Sequence, residues 1–415
     1  TVAILMDLQG PKIRVGKMEN NQPVQLIEGN EITISSDDCP GNQDCISTNY
    51  PELAKDVKIG DKILLNDGLF ILEVIDITDN KVKTKIIAGG ELTEHKGVNL
   101  PGTTTSIQAM NDKDKEDAKF AVENDVDFLG LSFVRSAGDV KALKDYIKEI
   151  NGNTPVISKI EKPEALKNIE EIINLSDGIM VARGDLGIEL APHKVPLAQK
   201  EIISLANINN TFVITATQML ESMIQNPIPS RAETSDVANA ILDGTDAIML
   251  SGETSVGKYP IQAVKMMDTI SREIETHDYS EIKKNIPKIS DSINIDSHAI
   301  ALSAFEMSKD LNPKAIITFT NSGFSARLLS NFRPNVPIIA LTHQETVSRK
   351  LAGYWGVYPF VLNVNILNKQ CMEEMDELLK EKTLLKSGDK IIITGSMPFL
   401  ITGITNFIRV HIIDA

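Results

Sequence analysis

The chain has 415 residues, of which 42% are hydrophobic, and a formal charge of −15. A pI of about 5.0 excludes a broadly basic face for nucleic acid or anionic membrane, while leaving room for local positive charge around small anions. No apolar stretch approaches the roughly 20 residues of a membrane helix, no secretory signal pattern opens the chain, and an odd, low count of three cysteines fits a reducing cytoplasm.

Val2–Met6 reads as an apolar strand that ends at Asp7. The chain has no initiator Met and opens inside this strand, which implies upstream sequence. From Lys17 to His95 the pattern changes to short strands, Glu31–Ser35, Lys62–Leu65, Phe70–Val74 and Lys81–Ile86, separated by turn signals such as Asn66-Asp67-Gly68. This predicts a small all-β lid inserted over residues 17–95. Cys39 and Cys45 flank a Pro-Gly-Asn turn within it and read as ordinary thiols, because no further Cys or His completes a zinc site.

From Lys96 onward strand and helix patterns alternate. Strands are predicted at Phe128–Phe133, Val156–Ile160, Gly178–Ala182, Phe212–Thr215 and Ala247–Leu250. Their spacing, roughly 25 to 35 residues, is that of a β-α repeat. Apolar strands alternating with amphipathic helices predict a parallel sheet covered on both faces. Each strand ends at a polar residue (Ser132, Lys159, Arg183, Thr217, Ser251), as the active-site edge of a (β/α)8 barrel requires. With the strand at Val2 there are six such units, so the barrel is expected to be incomplete at its N-terminus. Residues 1–16 and 96–283 form this unit. Residues 284–415 are expected to form a separate α/β domain with a parallel sheet, its strands at Ala315–Phe319, Pro337–Leu341, Val357–Val361, Lys390–Ile393 and Ile408–Ile412.

The chemistry concentrates where two barrel strands end. Lys159 and Glu161 share a strand face. Asp185 follows the neighbouring strand. Two carboxylates suit a divalent metal that completes its shell with water and substrate phosphate. A lysine held beside them can neutralise an oxygen of a transferring phosphoryl group. Arg183-Gly184-Asp185-Leu186-Gly187 enters a helix, where backbone amides can approach an anion.

These stretches resemble the pyruvate kinases. The resemblance is carried by Gly10–Arg14, Lys96–Pro101, Ile157–Glu161, Asp177–Gly187, Ile214–Met223, Arg231–Glu233 and Leu250–Thr254, in order, and it runs from Thr1 to the end. It implies transfer of a phosphoryl group from phosphoenolpyruvate to ADP, followed by protonation of the enolate to pyruvate, in a cytoplasmic homotetramer. Residue by residue, it makes Lys159 the phosphoryl-stabilising cation and Glu161 and Asp185 the ligands of Mg²⁺ or Mn²⁺. Thr217 stands beside the enolate carbon. Gly184 and Asp185 form the turn whose amides hold the substrate carboxylate, and Ser132 and Phe133 line the same pocket. Arg14 and Lys96 contact nucleotide phosphates from the two hinges of the lid.

The segment Asp7-Leu8-Gln9-Gly10-Pro11-Lys12 resembles the K⁺-independent branch of that family, in which a lysine replaces the acid of the K⁺-requiring branch. A tethered Lys12 ammonium can offset the crowded substrate charge without a bound ion, so K⁺ is expected not to be required. The family's first two barrel strands, with an Arg and an Asn-x-Ser-His element, precede the position of Thr1. A chain of this extent therefore carries two alternatives: an inactive fragment that keeps only effector binding, or another phosphoenolpyruvate- or acyl-handling barrel. In the last domain, Thr320, Asn321, Ser322, Gly323 and Ser325 resemble the loop that binds a phosphorylated effector, with Thr394–Ser396 and Gly403–Asn406 expected to face it.

Overall fold

The computed structural model describes residues 1–103, 105–276, 294–362, 370–396 and 404–414. The expected boundary at 283/284 and Gly403 lie outside the described residues.

Six strands form the first sheet in strict chain order: Leu5–Asp7, Phe128–Leu131, Val156–Ile160, Gly178–Ala182, Phe212–Ala216 and Ala247–Met249. All five pairings are parallel. Successive side chains point to opposite faces, which splits the apolar residues between two cores. Ile179 and Val181 join the outer core with Leu129, Val156 and Val213, packed under the helices. Met180 joins the inner core with Phe128, Ile157, Phe212 and Ile214. Burial on both faces is why these strands read as unbroken apolar runs. The first strand starts later than expected because Val2 and Ile4 are exposed, and it takes in Asp7.

Within the lid, six strands pair in the order Cys45–Ser47, Glu31–Ser35, Lys81–Ala88, Phe70–Thr78, Lys62–Leu65 and Val98–Asn99. Lys81–Ala88 shows the alternation that made it legible, with Lys81, Lys83 and Lys85 outward and Val82, Thr84 and Ile86 buried. Val24–Leu26, Cys45–Ser47, Gly90–Leu92 and Val98–Asn99 are too short to show a period, and the sequence reading missed them. Asn66, Asp67 and Gly68 all take positive φ in the predicted turn. The lid's two connections run side by side. Val15 N–H donates to Lys96 O (2.9 Å), His95 N–H to Val15 O (3.1 Å) and Val98 N–H to Ile13 O (2.9 Å).

The C-terminal sheet runs Val357–Val361, Ile338–Thr342, Ala315–Phe319, Lys390–Gly395 and Phe407–Ile412. The sequence predicts a parallel sheet, but the last strand is antiparallel to Lys390–Gly395. The connecting residues 396–406 are too few for the crossover that a parallel pair needs. This domain docks on the amino-end side of the first sheet through buried polar contacts. Arg333 pairs with Asp246 (2.8 Å), and Arg349 with Asp127 (3.1 Å). Asn331 donates to Asn207 O (2.7 Å).

Candidate active site

The carboxyl ends of the first sheet bring the predicted residues together. Lys159 Nζ meets three acceptors: Asp7 Oδ2 at 2.9 Å, Ser132 Oγ at 2.9 Å and Glu161 Oε1 at 3.0 Å. An ammonium has three donors, and all three are committed. Burial alone would lower its pKa, but Glu161 and Asp7 outweigh that and hold it above the usual lysine range. Lys159 is therefore a fixed cation at neutral pH.

Glu161 lies one residue past its strand and is almost fully buried, with its second oxygen, Oε2, accepting from Phe133 N–H at 2.7 Å. Phe133 makes that contact from a left-handed backbone, φ 55°. Gly10 also has positive φ, and a Cβ there would come within 2.9 Å of the Phe133 ring. Burial pushes the Glu161 carboxyl up, Lys159 opposes this, and nearby Asp185 pushes it further up. Three carboxylates, Asp7, Glu161 and Asp185, share one ammonium here, and the negative charge left over around the buried Glu161 fits a hard divalent cation. Among the described residues no cluster of three His, Cys, Asp or Glu is placed to hold a metal. The protein would supply two oxygen ligands and leave the rest of the shell to water and substrate, as Mg²⁺ favours.

Beside this group, Gly178–Ala182 runs straight into the short helix Arg183–Glu189. Gly184 N–H donates to Thr217 Oγ1 at 2.7 Å. The predicted carboxylate-binding amide and the predicted threonine thus already touch. Thr217 and Gln218 are both left-handed, with φ of 67° and 53°. Arg183 holds them there: its Nη2 donates to Thr217 O (2.8 Å) and Gln218 O (3.0 Å), and its Nη1 pairs with Asp236 (2.6 Å).

Arg14 and Lys96 sit on the paired hinges, where Arg14 Nη1 donates to His95 O at 3.1 Å. The Lys12 chain packs near Gly97, and its ammonium has no ion pair among the described residues. Asn99, just past the second hinge, donates to Glu189 Oε1 at 3.0 Å, and Lys162 pairs with the same oxygen. A cavity of about 790 Å³ opens between lid residues Asp67 and Gly68 and barrel residues Arg183, Gly184 and Gln218.

Three contributors escaped the sequence reading as site residues. Asp7 ends the first strand as Lys159 and Thr217 mark the ends of theirs, so the strand-end rule could have found it. Arg183 carried the same signal but no sign of its clamp role. Glu189 gave none.

In the C-terminal domain the residues expected to form an effector loop divide. Thr320 Oγ1 accepts from Gly323 N–H at 3.0 Å, and Ser325 bonds Thr405. Asn321 Oδ1 accepts from Gln344 (2.6 Å), and Asn321 and Ser322 face the barrel. Cys39 and Cys45 have sulfurs 3.4 Å apart and are free thiols.

A family model described as pyruvate kinase, barrel domain, matches residues 1–264, and one described as pyruvate kinase, alpha/beta domain, matches residues 298–411. The pyruvate kinase of Sporosarcina psychrophila is 43% identical over 99% of this chain and 70% of its own length. That of Thermotoga maritima is 43% identical over 100% of this chain and 87% of its own. A solved pyruvate kinase from Cryptosporidium parvum superposes with a TM-score of 0.90 at 40% identity, covering 100% of this chain and 84% of that one. With a barrel match over more than half of its length and such relatives along nearly all of it, the chain belongs to the pyruvate kinase family, whose enzymes use a divalent metal to transfer the phosphoryl group of phosphoenolpyruvate to ADP, giving pyruvate and ATP.

Proposed function

We propose that in this phosphoryl transfer Lys159 is the fixed cation that neutralises the transferring group. The observation that carries the reading is its saturated contact set with Asp7, Ser132 and Glu161. The ammonium needs no reorganisation when charge builds up, which is what electrostatic stabilisation of a transition state asks. Glu161 and Asp185 hold the divalent metal, Mg²⁺ or Mn²⁺. Held there, such an ion would supply Lewis-acid polarisation of the substrate. Ser132 and Phe133 shape the pocket wall. Phe133 N–H fixes Glu161, and Ser132 Oγ aims Lys159.

Thr217 and Gly184 receive the substrate carboxylate. The Thr217 hydroxyl occupies the Gly184 amide in the free enzyme and swings away when a carboxylate oxygen takes its place. Its proton, now donated to Ala216 O at 2.6 Å, can turn toward the enolate carbon, and the hydroxyl then takes up a proton from solvent as it gives its own. Arg14 and Lys96 draw ADP phosphates onto the hinge ribbon, and lid closure excludes water from the transfer. Lys12 supplies the charge that K⁺ supplies elsewhere, and K⁺ is not required. The 320–325 loop takes a phosphorylated effector, and the enzyme works in the cytoplasm as a homotetramer; these points rest on the resemblance of the sequence.

Lys159→Met tests the central role. The expected outcome is a loss of about 10³-fold in kcat with the KM for ADP nearly unchanged, since the lost interaction is made in the transition state. A kcat within about fivefold of wild type would contradict it. For Lys12, a coupled assay with Mg²⁺ in K⁺-free buffer should show full activity, and a large rise on adding KCl would sink that assignment.

A further inference from the structure

A second cavity, of about 330 Å³, lies between the base of the first sheet and the C-terminal domain. Phe128, Pro155 and Asp177 line it from the barrel side, at the amino ends of the second, third and fourth strands. Arg327, Lys350 and Tyr354 line it from the other. The charges in it do not balance. Asp177 is already committed to Lys144 (2.8 Å) and to Val156 N–H (2.8 Å). Asp127, close by, is taken by Arg349 and by Ile4 N–H. Lys350 has no ion pair among the described residues; Arg327 bonds the Tyr354 hydroxyl, but its Nε is buried without a hydrogen-bond partner among them. Burial holds the Lys350 ammonium below the usual lysine range, with Arg349 and Arg327 pushing the same way against Asp127 and Asp177. An unpaired ammonium and a half-used guanidinium on one wall call for an anion. The hydroxyl of Ser322 and the amide of Asn321 stand at the rim, and the rings of Tyr354 and Phe128 offer an apolar floor.

We infer that this interdomain cavity is a binding site for a compact organic phosphate, held by Lys350 and Arg327 with its carbon portion against Tyr354 and Phe128. The volume suits a small phosphomonoester. This goes beyond the effector reading given above: Asn321 and Ser322 of that loop line the cavity, while Ser325 bonds Thr405 instead.

Calorimetric titration of the full chain tests the inference, with inorganic phosphate and glycerol 3-phosphate as separate probes. Glycerol 3-phosphate should bind about tenfold more tightly than inorganic phosphate, because only it reaches the rings. Equal affinities would overturn the assignment to an organic phosphate, and no heat from either probe would overturn the site. Lys350→Met should weaken binding by about tenfold or more. Ser322→Asp, at an exposed position that leaves the core untouched, should do so by like-charge repulsion. Ser325→Ala should bind as wild type. Unimpaired binding in both Lys350→Met and Ser322→Asp would overturn the inference. Loss confined to Ser325→Ala would also overturn it, while keeping an effector at Ser325.

Discussion

The Thr217–Gln218 turn is stored strain. Two consecutive non-glycine residues in the left-handed region cost about 1–2 kcal/mol each, and the Arg183 fork offsets that cost through two carbonyls. The carbonyl ties fix where the Thr217 hydroxyl and the Gly184 amide stand. Lysine keeps the charge but cannot reproduce the fork. Arg183→Lys should therefore lose about 10²-fold in kcat through misplacement alone. Adding Gln218→Gly, which removes one left-handed penalty, should restore part of the loss; steady-state kinetics of the double variant check this. A purely structural Arg183 would lower the melting temperature without that rescue. Lys159, Glu161, Asp185 and Thr217 were legible in the sequence because each is a polar break at the end of an apolar run. The strain at Thr217 was not, since backbone handedness at a threonine leaves no compositional trace and its cause is an arginine 34 residues away in sequence.

At the scale of elements, legibility followed length and burial. Val156–Ile160 and Gly178–Ala182 match the predicted bounds to the residue because both are nearly fully buried and both ends are punctuated. Two- and three-residue lid strands carry no period, and only the lid's tertiary pairing makes them strands. The antiparallel edge at Phe407–Ile412 was misread for a related reason: apolar runs do not encode direction, and only the shortness of the 396–406 connection does. Arg183–Glu189 begins with no gap after its strand. That abrupt entry turns Gly184 N–H toward Thr217 and leaves no loop to wander. Site precision here comes from rigid elements meeting at a corner.

Across the whole molecule, the two α/β units are joined by buried ion pairs, which are sensitive to loss of one partner. Burial pushes the Asp246 carboxyl up despite Arg333 and the Val213 N–H. Arg333→Ala leaves that charge uncompensated and should cost about 3–5 kcal/mol at neutral pH. The sign follows from the raised pKa. Below the unfolded carboxylate range Asp246 is protonated in both states, and no charge penalty exists. As pH rises through the unfolded and then the higher folded pKa, the penalty grows to its full value. Denaturation of Arg333→Ala and wild type at pH 4.5 and pH 8 should show the smaller deficit at pH 4.5; equal deficits would assign the effect to packing.

The ribbon formed by residues 13–15 and 95–98 gives the lid two covalent leads but a single mechanical axis, because the leads are hydrogen-bonded to each other. A body tethered at two separated points would have to bend both tethers in concert; this one can pivot on one ribbon. It also makes the lid a cassette. Arg14 faces Gly97 across the ribbon, so an Asn-Gly turn can close the gap left by excising residues 15–96. The excised chain should keep the melting behaviour of the barrel and C-terminal units. If the proposed roles of Thr217, Lys159 and Glu161 hold, it should still exchange the methyl protons of pyruvate with solvent while losing ATP synthesis. Loss of both activities in a folded product would show that the lid shapes the barrel's chemistry as well as covering it.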